Sequence, residues 1–170
     1  MRDAPAIRGV FALVLMLLLI GCGLQPVYTG GAQGQAAGLL GAVEVMPIAD
    51  RAGFLVRDQL LLRMPPAESP RYRLQVVLDD DIIGFGVRGD NTIIRERRTL
   101  RARYRLIDIA SNDVLLDTSV SADAGIDVVS SEYAVIAAEQ SALERLAIEI
   151  ANRIVSRLAR YGRTVADGGA

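Results

Sequence analysis

The chain has 170 residues, with 19 basic residues, all arginine, against 20 acidic ones, one cysteine, and no lysine, histidine or tryptophan. A net charge of −1 removes any long-range pull towards nucleic acid or anionic membrane, so a basic function must come from local placement. The missing histidine excludes serine–histidine triads, histidine-based zinc sites and histidine–cysteine pairs.

At the start, Arg2 and Arg8 precede eleven consecutive apolar residues, Val10 to Ile20. A positive start, a short apolar core and a small residue at the cleavage point describe an export signal. The run is short for a membrane span, which needs about 20 apolar residues. Leu19-Ile20-Gly21-Cys22 resembles the bacterial lipobox, whose thiol receives a diacylglyceryl group and becomes the first mature residue. A plain secretory signal or an anchor helix would instead leave a free thiol in an otherwise cysteine-free exported protein, which is out of place. Residues 1–21 are therefore expected to be a lipoprotein signal peptide, with Cys22 as the lipid-attachment site. The 149 residues that follow suit one domain with a sizeable core.

Residues 22–41 are expected to be the acylated cysteine and a flexible tether, glycine-rich from Thr29 to Gly41. Some 20 such residues reach roughly 25 Å, enough to hold a folded domain off a bilayer. Gln25-Pro26-Val27-Tyr28 is less linker-like. The domain is then expected to occupy 42–163, with 164–170 frayed.

Within it, 42–48 reads as a short strand with Val43 and Val45 on one face. Asp50 is suited to cap a helix over 51–64, in which Phe54, Leu55, Leu61 and Leu62 recur at helical spacing. Pro65-Pro66 ends it. Tyr72, Leu74, Val76 and Leu78 alternate with polar residues as a half-buried strand does. Residues 79–92, with Asp79-Asp80-Asp81, Gly84, Gly86 and Gly89-Asp90-Asn91, predict either a long hairpin connection or two strand ends around a mobile tip. A calcium loop is not expected at the three aspartates, since its alternate spacing and terminal glutamate are missing. Gly84 to Gly89 lacks the strand–turn–helix context of a phosphate loop.

A strand follows over 93–109, and a turn at Ser111-Asn112-Asp113 leads to another. There Val114, Leu116, Thr118, Val120 and Ala122 face one way, opposite Asp117, Ser119, Ser121 and Asp123. The three strands predict an antiparallel meander with one wet face. Ser130 or Ser131 caps a last helix that Gly162 ends. Tyr133, Ile136, Leu143, Leu146, Ala147, Ile150, Ile154 and Leu158 form its apolar stripe. Glutamates crowd its front and arginines its rear, and Glu149 precedes Arg153 by the favourable four residues. The order β-α-β-β-β-α predicts an α+β fold, a two-layer sandwich with two helices on one face of a four-stranded, mostly antiparallel sheet.

Six arginines lie between positions 95 and 105, and five share odd parity: Arg95, Arg97, Arg101, Arg103 and Arg105. Strand geometry puts these five on one face, in a row about 34 Å long with roughly 6.7 Å between neighbours. Leu100, Ala102, Tyr104 and Leu106 then point to the core. Arginine's planar fork suits phosphate and carboxylate. Two readings of the row stay open. Neighbouring aspartates (Asp79 to Asp81, Asp117, Asp123) could compensate it internally as a solvated, salt-bridged face. Alternatively it docks a polyanion, for which a phosphorylated lipid suits an anchored protein better than nucleic acid. No catalytic residue, cofactor or metal site is expected, because no carboxylate sits in an apolar stretch that would raise its pKa.

Cys22-Gly23 with Pro26 and Tyr28, the Asp50-Arg51 helix start, Tyr72-Arg73-Leu74, the Arg95 to Leu106 strand and Tyr133 before an alanine-rich helix form an ordered set. In that set the chain resembles the LPS-assembly lipoprotein family LptE, in its alphaproteobacterial type. The resemblance implies an anchor in the inner, periplasmic leaflet of the outer membrane. It also implies a non-enzymatic partner of an LptD-type β-barrel that plugs the barrel, helps assemble it and binds lipopolysaccharide through basic residues of the sheet and its loops. The five row arginines are the candidates here, and no nucleic acid is involved. A different class, a periplasmic adaptor lipoprotein serving a lipid transporter or a cell-wall enzyme, is the alternative. Gly23 carries no aspartate-type retention signal, which favours the outer membrane.

Overall fold

The computed structural model describes residues 35–87 and 93–167. Cys22, the signal peptide, most of the tether and the 88–92 tip lie outside them. The elements are α1 (Gln35–Leu40), β1 (Val43–Val45), α2 (Asp50–Leu61), β2 (Tyr72–Val87), β3 (Ile93–Asp108), β4 (Val114–Asp127) and α3 (Glu132–Asp167). The strands form one sheet in chain order. β1 pairs with β2 in parallel, and β2–β3–β4 is the expected antiparallel meander. The α+β class and the sandwich plan hold, with a third helix added.

The core lies between the sheet's inner face and the helices. Leu74, Leu100, Tyr104 and Leu106 from the sheet meet Val56 and Leu60 of α2 and Leu146, Ile150, Ile154 and Leu158 of α3, all fully buried. Burial of each such aliphatic side chain contributes about 1.5–3 kcal/mol. α3, of 36 residues, spans about 54 Å and is the one helix that touches both other helices and the sheet.

Several expectations need correction. The tether was expected to run to residue 41, but residues 35–40 form α1, and Leu40 is buried in the core. A single turn and a half carries too few residues to display a period in sequence, and it is held by packing on α3. In α2, Phe54 (70% exposed), Leu61 and Leu62 face solvent; the buried face is Ala52, Gly53, Val56 and Leu60. Small residues are needed there, because a Cβ on Gly53 would lie 2.7 Å from the carbonyl carbon and oxygen of Ile48. Asp50 does not cap α2 through its side chain; it takes a left-handed conformation, φ 66°, which aspartate tolerates better than most residues.

Of the two readings of 79–92, the structure takes the strand end over a long connection for 79–87: Asp79, Asp80 and Asp81 stand opposite Arg101, Leu100 and Thr99. β4 likewise continues to Asp127, its alternation intact through the buried Ala122 and Ile126. α3 passes Gly162 and runs to Asp167, so the tail is helical to that point. Its first turns project beyond the core, leaving Tyr133 (85%) and Ile136 exposed rather than in the stripe.

Candidate functional site: an arginine row on the bare sheet face

β3 is the second-innermost strand, bonded on both sides, so its side chains are held in strict alternation. Arg95, Arg97, Arg101, Arg103 and Arg105 are all exposed on the face without helices; Leu100, Ala102, Tyr104 and Leu106 are buried on the other. The geometry of the row is thus as expected.

Its chemistry is divided. Arg95 reaches Asp127, directly opposite, at 3.2 Å. Arg103 forms a two-bond fork with Asp117, at 3.0 and 2.9 Å. That pairing is diagonal, since Asp117 stands opposite Arg105. The Arg103 guanidinium, through its hydrogen bonds, holds the Asp117 carboxyl below its ordinary range. Arg105 donates only to Gln75, at 3.3 Å. Arg97 lies over the Phe85 ring, 5.3 Å from its centroid. Arg101 has no hydrogen-bond or ion-pair partner among the described residues, although Asp79 and Ser121 are its strand neighbours. Thr99 interrupts the row and donates to Asp123 at 2.7 Å.

Compensation across the sheet is therefore real but incomplete. Of the five arginines, Arg95 and Arg103 are spent on aspartates; Arg97 and Arg101 have no carboxylate partner among the described residues, and Arg105 acts on Asp117 through its field alone, without an ion-pair contact. Among the described residues, no group of acidic or sulfur side chains could hold a metal ion.

Sequence parity separated Arg98 from the row without saying what it does. It points inward and forks onto Asp80 at 2.8 and 2.5 Å, and donates to the Glu139 carbonyl oxygen at 2.9 Å. Its side chain is 12% exposed. The hydrogen bond to Asp80 strengthens its positive form. The clamp ties β2 and β3 to α3 at the end where the core thins. Beyond it, Ile82, Ile83 and Phe85 on β2, with Val129 and Tyr133, expose apolar surface at the same end of the molecule.

The model of the lipopolysaccharide-assembly family, LptE, matches residues 40–158. The chain belongs to this family. That match runs from α1's last residue to the late part of α3, and so takes in the whole sheet and the arginine row. An uncharacterized protein of Rickettsia prowazekii is 25% identical over 152 residues, covering 89% of this chain and 96% of its own. Among solved structures, a Caulobacter crescentus lipoprotein is similar with a TM-score of 0.61 and 24% identity, over 76% of this chain and 98% of that one. The rare lipoprotein B of Shewanella oneidensis follows with a TM-score of 0.59 at 9% identity, over 74% and 97%. At such identities the structures share the fold. Family membership places the chain in lipopolysaccharide assembly.

Proposed function

We propose that this LptE-family chain is a lipoprotein acylated at Cys22 and held in the inner leaflet of the outer membrane. There it plugs and helps assemble an LptD-type β-barrel and binds lipopolysaccharide through its arginine row. The observation that carries the binding is the set of three outward guanidiniums, Arg97, Arg101 and Arg105, that form no ion pair with a carboxylate of the described residues on the bare sheet face. Forks of this kind suit the phosphates of a lipid headgroup. The barrel partnership is supported by the exposed apolar end formed by Ile82, Ile83, Phe85 and Tyr133. A non-catalytic role fits a chain without histidine, in which no charged or polar residue is fully buried among the described ones.

Replacing Arg101, Arg103 and Arg105 together by glutamate weakens lipopolysaccharide binding and leaves the circular dichroism spectrum unchanged. Wild-type affinity in the triple variant reduces the row to a solvated face. Gentle detergent extraction of the tagged, acylated protein recovers a large β-barrel with it, identified by mass spectrometry. Recovery of monomer alone, or fractionation with the inner membrane, favours the periplasmic adaptor instead.

A further inference from the structure

A groove of about 440 Å³ opens where the edge strand β4 meets the rear half of α3, on the helix-covered side of the sheet. Tyr104 forms part of its lining, flanked by Thr118, Ser119 and Ser156. The tyrosine is fully buried, and its hydroxyl has no hydrogen-bond partner among the described residues. A hydroxyl taken out of water without an acceptor is unfavourable, so the site gains from any acceptor brought to it. Burial pushes the Tyr104 pKa up, against the opposing pull of Arg157 and Arg160, so the hydroxyl remains a donor.

Those two arginines complete the groove. They stand three residues apart on α3 and so share a face, each exposed and with a side chain that has no hydrogen-bond or ion-pair partner among the described residues. The third arginine, Arg153, is occupied: it donates to the Ser121 carbonyl oxygen and pairs with Glu149. Glu149 is the one acidic residue in the lining and is thereby engaged away from the other two. Two unpaired like charges on neighbouring turns repel each other unless an anion lies between them.

The geometry points to a second anion site in this groove, in which the forks of Arg157 and Arg160 and the Tyr104 hydroxyl take a phosphate monoester. The recognised group is the same whether the phosphate is free or carried on a lipid headgroup. The site does not depend on the arginine row, which lies on the opposite face of the sheet, nor on the barrel partner.

The test titrates the full-length, acylated protein in neutral detergent with two probes, glycerol 3-phosphate and micellar phosphatidic acid. Binding is followed by calorimetry and by the Tyr104 ring resonances. Saturable binding that shifts those resonances is expected. Arg157→Gln with Arg160→Gln weakens it about tenfold or more, and Tyr104→Phe weakens it less, by about fivefold. Tyr104→Phe keeps the ring volume, so its melting temperature equals or exceeds that of the wild type. Binding of both probes identifies the free phosphate as sufficient; binding of phosphatidic acid alone identifies a lipid headgroup. The inference is overturned if neither probe saturates, if either variant binds as the wild type does, or if Arg101→Gln with Arg105→Gln abolishes the titration while the groove variants retain it.

Discussion

Gly53 sets how closely α2 can approach the chain that leads into it, and Gly53→Ala measures that constraint. A methyl group built there lies 2.7 Å from both the carbonyl carbon and the oxygen of Ile48, and 2.8 Å from its Cγ2. Ordinary carbon contacts lie at about 3.5–4.0 Å, so α2 or the 48–49 segment must shift by roughly 0.8 Å or more. The two nearest of these atoms are backbone, and no rotamer change relieves them. Alanine gains about 1 kcal/mol over glycine in helix propensity, while overpacking of this kind costs about 1–3 kcal/mol. Because the shift also pulls on the buried Val56 and Leu60 contacts, the upper part of that range applies, for a net loss of about 1–2 kcal/mol. For a domain of this size that lowers the melting temperature by about 4–8 °C. Gly38→Ala is the control: it lies in α1, where an added Cβ meets nothing within 4 Å, and should be neutral or mildly stabilising. Thermal melts of the two variants by circular dichroism decide the matter. A Gly53→Ala protein that melts with or above the wild type refutes the close-approach argument.

The Arg98 clamp gives a second prediction. Arg98→Gln strands the Asp80 carboxylate and loses the bond to Glu139, costing about 1–3 kcal/mol in chemical denaturation, whereas Arg98→Met with Asp80→Leu recovers part of the loss. Equal stability of the single and double variants contradicts this. The third concerns acid. The backbone N–H groups of Ser111 and Ala110, with Arg71 adding less, hold the Asp108 carboxyl below its ordinary range. A folded-state pKa below the unfolded value of about 3.9 contributes stability above that value, and loses it as pH falls through the folded one. Asp108→Asn therefore lowers the melting temperature at pH 7, and the gap to wild type closes towards pH 2. Melting curves that stay parallel from pH 7 to pH 2 exclude that contribution.

What sequence reasoning reached, and what it missed, follows from the range of the interactions involved. β3 was legible because a strand bonded on both sides imposes period two, and five of its six arginines and both its leucines keep to opposite parities. The second half of β2 stayed open between connection and strand end, because Asp79 to Asp81 and Gly84 resemble a turn when seen alone. Their strand conformation depends on β3, where Arg98 and Thr99 supply partners or neighbours that lie far along the chain. The α2 face was misjudged for a related reason: large apolar residues were taken to mark the core, while close approach to Ile48 requires small ones. The row's arginines could be placed by parity, but their division into paired and unpaired members could not. Asp117 bonds diagonally to Arg103 rather than to Arg105 opposite, a choice made by side-chain reach. The Tyr104 groove is tertiary altogether. Arg157 and Arg160 suited the helix dipole in sequence, and only the edge of β4 turns them into the wall of a site.

The place of α3 in the chain has a kinetic consequence. It supplies much of the cover for the sheet, yet it is the last described element to leave the ribosome or an export channel. At about 5–20 residues per second, its 36 residues take roughly 2–7 seconds to emerge. Throughout that interval a completed meander would present Leu74, Leu100, Leu106 and Ile126 to water. It would also carry two poorly guarded edges, since among the described residues β1 shields only Tyr72 to Leu74 of β2 and no strand lies outside β4. Collapse of the core must therefore wait for α3. A holding factor that shields the sheet during this wait should raise the yield of folded protein, and truncation within α3 should leave an aggregation-prone meander rather than a smaller stable domain.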